Sequence, residues 1–136
     1  MLKKVAIFDV DGTIFRSSLL IELVEALIVA DIFPKHCKTA YEKPYRRWVN
    51  REGTYEDYIE AVIEVFMKHL KGVNYYEFER VGLEVVEANK DKVYRYTRDL
   101  VKKLKRKGYF LLAISQSPKG LLDAFCKRLG FDKVYG

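Results

Sequence analysis

At 136 residues the chain is one domain's worth of polypeptide, long enough to bury a core. With 49% hydrophobic and 32% charged residues it has the make-up of a folded globular protein, which excludes a disordered tail or a low-complexity array. The formal net charge of +6 suits an anionic partner, nucleic acid and phosphate esters included, or simply confers solubility.

In chain order, residues 5–8 (Val-Ala-Ile-Phe) read as a buried strand that ends in Asp9 and Asp11, spaced i, i+2. In open α/β sheets, ligands bind outside the carboxyl ends of the strands, so both carboxylates can converge on one crevice. Gly12 permits a sharp turn, and Thr13 offers a hydroxyl and an N–H. Paired carboxylates suit a hard cation such as Mg²⁺, and they suit divided labour between nucleophile and general acid/base. A bare Asp-Gly is a common turn, but an apolar strand leading into Asp-x-Asp-Gly-Thr is more specific.

Ser17 or Ser18 can cap a first helix carrying Leu20, Leu23, Val24, Leu27 and Ile28, which Pro34 stops. Residues 35–51 interleave basic and aromatic side chains, among them Lys43, Tyr45, Arg46, Arg47 and Trp48. Such a stretch can bind single-stranded nucleic acid, but an amphipathic helix with its rings packed inward is the favoured reading. Thr54 caps the next helix, through Tyr58, Val62 and Phe66 to about Gly72, with His69 near its end complementing the helix dipole. Asn74 can cap another, through Phe78, Val81 and Val85, and a further helix is expected over residues 91–107. Residues 109–114 read as a second strand, with Ser115 emerging from its end. Pro118 then starts a helix that Gly130 ends, and residues 131–135 can form a third strand. Right-handed crossovers would make these strands parallel. The insert of about 75 residues between Phe15 and Lys90 is helical by pattern and too long for an ordinary connection.

Cys37 and Cys126 stand far apart, with no Cys-x-x-Cys and no Cys/His cluster at zinc spacing, so each reads as a small buried residue. The apolar start is too short for a signal peptide. Residues 19–33 are interrupted by Glu22, Glu25 and Asp31, so no membrane span is expected and a cytoplasmic location is.

Phe8-Asp9-Val10-Asp11-Gly12-Thr13 resembles the first motif of the haloacid dehalogenase-like phosphatases. Residues 111–118, an apolar strand ending at Ser115, resemble the second, and Leu129-Gly130-Phe131-Asp132 is similar to the phosphoserine-phosphatase-like branch. The family's third motif, a Lys, and its fourth, an acidic pair, have no counterpart. Lys119 falls too early for the third, and Asp123 and Asp132 are poor stand-ins for the fourth. The resemblance implies an α/β fold: an incomplete Rossmann-like parallel-sheet core (residues 1–15 and 91–136) with a helical cap (16–90) inserted after the first strand. It implies a magnesium-dependent phosphomonoesterase acting through an aspartyl-phosphate on a small phosphorylated metabolite. Asp9 would be the nucleophile and Asp11 the general acid/base. Mg²⁺ would be held by the Asp9 carboxylate and the Asp11 main-chain carbonyl, and the phosphoryl group by Val10, Gly12, Thr13 and Ser115. In the family the first strand is central, so one edge of residues 5–8 is expected to be bare here. The expected partner is a C-terminal half or a second copy that completes the sheet. The alternatives are a non-catalytic binding or assembly module and, less favoured, a basic nucleic-acid-binding protein.

Overall fold

A computed structural model describes residues 2–136. The elements run β1 (Val5–Asp9), α1 (Leu19–Val29), α2 (Cys37–Val49), α3 (Tyr55–Leu70), α4 (Tyr75–Asn89), α5 (Arg95–Arg106), β2 (Phe110–Ile114), α6 (Lys119–Lys127) and β3 (Lys133–Tyr135). The strands form one parallel sheet in the order β1-β2-β3, an α/β architecture. Pairing sets Val5 against Phe110 and Asp9 against Ile114, so the aspartate at the end of β1 lies beside the end of β2.

The chain divides into two compact units, Met1–Leu19 with Gly82–Gly136, and Leu20–Val81. These boundaries fall inside α1 and α4. In the first unit one sheet face is packed: Phe8, Leu111 and Ala113 are buried with Leu121, Leu122, Phe125 and Val101. Phe15 meets Phe125 edge-on at 5.3 Å between ring centroids, a favourable aromatic geometry. Gly82 lets α4 approach α6, because a Cβ there would stand 2.8 Å from Leu121 Cδ1.

The second unit is helical. Leu23, Val24, Leu27, Phe33, Tyr41, Tyr58 and Val62 form its core, and the Tyr41 hydroxyl donates to Glu25 Oε1 at 2.7 Å. Burial first, and then Glu25, pushes the Tyr41 hydroxyl well above the usual tyrosine range. Thr54 and Asp57 make the reciprocal bonds of a capping box at the start of α3, and Asn74 Oδ1 accepts from the N–H groups of Tyr76 and Glu77 at the start of α4.

Three expectations need correction. β1 is not covered on both faces: Phe8 is buried, but Val5 and Ile7 are 52% and 62% exposed. The alternate positions pack on one side only, as in any sheet with one bare face. The fifth helix starts at Arg95 and not near residue 91, because residues 92–94 bond to the loop after β1: Arg16 N–H donates to Lys92 O and Tyr94 N–H to Ile14 O. The third strand is confined to Lys133–Tyr135, and Asp132 before it meets the start of β2 through its N–H, which donates to Leu111 O, and its side chain, which accepts the Leu111 N–H. α2 runs through Pro44, inside the stretch 35–51 that reads as an amphipathic helix.

Candidate active site

The loop after β1 is built around one carbonyl. Val10 O accepts from the N–H groups of Thr13, Ile14 and Phe15 at 2.9–3.2 Å, while the Val10 side chain is fully buried. Closing so tight a turn requires a left-handed residue, and Gly12 supplies it at φ 75°. The Gly12 N–H donates to Phe15 O (2.8 Å) and Ser17 O (3.2 Å). The amides of Gly12 and Thr13, expected to face a phosphoryl group, therefore bond within the loop in this structure.

Asp9 ends β1 with its side chain exposed, and its Oδ2 accepts the Thr13 hydroxyl at 3.2 Å. Asp11 is half-buried and fully engaged. Its Oδ1 accepts the Leu19 N–H at 2.7 Å, and its Oδ2 accepts the hydroxyls of Ser115, in a very short bond, and of Ser117 at 3.1 Å. Asp11 thus places negative charge at the first turn of α1, where helix N–H groups lack intrahelical partners. Ser115 Oγ in turn accepts the Ser117 N–H at 3.0 Å. Asp11 and Ser115, 104 residues apart in sequence, are in direct contact.

Two contributors were missed from sequence. Ser117 is buried and bonded to Asp11, and Thr97, in the first turns of α5, donates its hydroxyl to Thr13 O at 2.8 Å. Ser117 stood inside the second motif and so had a signal; Thr97 had none. Cys126 is fully buried, and its thiol is pushed up to about 12 by burial first and then by the charges of Asp11 and Asp123, which makes it an inert neutral thiol.

The donor set fits a hard cation through oxygen atoms. The Asp9 carboxylate is exposed, whereas the Asp11 carboxylate is taken up by three donors, so Asp11 would contribute through its main-chain carbonyl. The stand-ins for the missing motifs are engaged in other contacts. Lys119 pairs with Asp123 at 2.8 Å one turn along α6. Asp132 binds Leu111 N–H and Lys105 at the opposite end of the strands from Asp9. Of the basic-aromatic stretch, Tyr41 is buried, and Tyr45 and Trp48 contact Tyr58 at 5.2 and 5.7 Å between ring centroids. Tyr45 and Trp48 remain 43% and 38% exposed.

The family model for haloacid dehalogenase-like hydrolases matches residues 6–136. Among solved structures the chain is similar to a phospho-aspartyl intermediate analogue of phosphoserine phosphatase, at 20% identity and a TM-score of 0.52, with 99% of this chain covering 56% of that one. It is also similar to a predicted phosphoglycolate phosphatase from Haemophilus somnus 129PT, at 17% identity and a TM-score of 0.47, with 98% of this chain covering 62% of that one. The chain spans less than two thirds of either structure, and at such identities the likeness is one of fold. No match was found among curated proteins.

Proposed function

The chain belongs to the haloacid dehalogenase-like hydrolase family, and from that premise we propose that it carries the nucleophile-bearing part of a magnesium-dependent phosphomonoester hydrolase acting on a small phosphorylated metabolite. One observation carries this reading: an exposed Asp9 at the carboxyl end of β1, two residues before an Asp11 locked onto Ser115 at the end of β2. Asp9 attacks the phosphorus and becomes an aspartyl-phosphate as the P–O bond to the alcohol breaks. Asp11 gives its proton to the leaving oxygen, then takes one from the water that hydrolyses the acyl phosphate. In the structure Asp11 Oδ2 accepts two hydroxyls, so protonation of Asp11 would release the Ser115 O–H to donate to the phosphoryl oxygens. Val10 would add a loop contact, with the Gly12 and Thr13 amides joining when their internal bonds open. When bound by the Asp9 carboxylate and the Asp11 carbonyl, Mg²⁺ would supply the positive charge that lets an anionic nucleophile approach an anionic ester.

The helical unit Leu20–Val81 takes, in this proposal, the place of the family's cap. The remaining elements of the fold would come from a C-terminal half or a second copy, because the chain covers 56% of the phosphoserine phosphatase structure and β1 has one neighbour among the described residues. That bare edge also favours the second reading, a binding or assembly module without turnover. No described helix is long and apolar enough to cross a membrane. Two free buried thiols agree with a reducing compartment, and we place the protein in the cytoplasm on that ground.

The test is phosphate release from an aryl phosphate with and without Mg²⁺. Magnesium-dependent release that drops by at least about a thousandfold in Asp9→Asn is expected, since the substitution removes the nucleophile. Release that survives in Asp9→Asn would sink the assignment, and a folded but inactive chain would overturn the expectation that this chain works as an enzyme alone.

A further inference from the structure

In the helical unit, His36, Cys37 and His69 come together. One potential ligand atom from each, two imidazole nitrogens and a thiol sulfur, lies within 4.8 Å of the other two. The cause is the topology. A short turn joins α2 and α3, and the two helices pack together, so the start of α2 returns beside the end of α3. His36 and Cys37 stand at that start and His69 in the last turn of α3. The separation of 32 residues hid the cluster from any reading of sequence spacing.

The groups are held in place. The Cys37 N–H donates to Pro34 O, and the Thr39 N–H and hydroxyl both bond to His36 O, which fixes the turn carrying the first two. His69 packs on Phe33 at 5.8 Å and meets the His36 ring edge-on at 6.1 Å. Neither imidazole makes a hydrogen bond to another described residue, so their nitrogens are not committed elsewhere. Nearby cations are partly answered: Lys35 pairs with Asp31 and Lys38 with Glu25.

We propose that His36, Cys37 and His69 form a site for a borderline-soft divalent transition metal, Zn²⁺ in particular. The donor set, two imidazoles and a thiolate, suits zinc and not Mg²⁺, whose hard oxygen preference belongs with Asp9. Tetrahedral zinc with bonds of about 2.0 Å to nitrogen and 2.3 Å to sulfur sets its ligand atoms roughly 3.4–3.6 Å apart. Each pair therefore has at most about 1.4 Å to close, within reach of small side-chain rotations. Three protein ligands leave a fourth position, and exposed His36 gives it access to solvent. The ion would staple the open end of the α2–α3 hairpin, opposite the turn at Thr54.

Titration with Co²⁺ in excess Mg²⁺ tests the site. One Co²⁺ per chain is expected, with the visible bands of tetrahedral cobalt and a thiolate charge-transfer band, and Zn²⁺ should displace it. Cys37→Ser should remove the charge-transfer band. His36→Gln and His69→Gln should weaken binding by more than the roughly 10- to 100-fold that loss of an outer-sphere partner costs. Because His36 is exposed, His36→Gln keeps the test open if Cys37→Ser fails to fold. Zn²⁺ should raise the melting temperature of the wild type and not of His36→Gln, while Asp9→Asn should bind like the wild type. Absence of the cobalt bands, or binding that survives His36→Gln and His69→Gln, would overturn the proposal.

Discussion

Asp11 shows how much one carboxylate can be asked to do. It caps α1 through the Leu19 N–H and holds two serines of the loop after β2, so its geometry is fixed from two sides. Asp11→Asn keeps an oxygen for Leu19 and an amide that the serine hydroxyls can accept from. Asp11→Ala leaves the helix N–H and both hydroxyls without their acceptor, at a cost of about 1–3 kcal/mol for each group left unsatisfied. The expected outcome in urea unfolding is a clearly larger loss for alanine than for asparagine. Equal losses would mean that charge, and not hydrogen bonding, is what Asp11 contributes.

Among the elements, β2 depends on a residue outside it. Asp132 accepts the Leu111 N–H at 2.8 Å and Lys105 Nζ at 2.7 Å, tying the start of β2 to α5 and to the turn before β3. The Leu111 N–H first, and then Lys105, holds this carboxyl below its ordinary value of 3.8. A carboxyl with a depressed folded-state pKa contributes stability above its unfolded value and loses it as pH falls through the folded one. Thermal unfolding from pH 5 downward should therefore show an acid limb below about pH 4 that is shallower in Asp132→Asn. An unchanged limb would assign the acid sensitivity to other carboxylates.

For the whole molecule, the bare sheet face is the decisive feature. Val5, Ile7, Ile114 and Tyr135 are each 46–62% exposed, and β1 has one neighbour among the described residues. An apolar edge strand with unpaired N–H and C=O groups is a template for a further strand. Sedimentation velocity should show concentration-dependent association, suppressed in Ile7→Lys, which puts a charge on that face. A chain that stays monomeric across the accessible range would argue against completion of the sheet by another copy.

What the sequence determined by itself is local. The strand ending in Asp9 and Asp11, the Thr54 and Asn74 caps and the strand before Ser115 rest on short-range pattern and turn chemistry, and the structure has them at those positions. Tertiary structure alone decided which groups meet. Asp11 bonds Ser115 and Ser117 because β1 and β2 lie parallel with their ends together, and no short-range pattern encodes that register. His36, Cys37 and His69 converge because two helices fold back on each other. The exposure of Val5 and Ile7 is likewise a property of what packs on a strand, and the same apolar run can be covered on one face or on two.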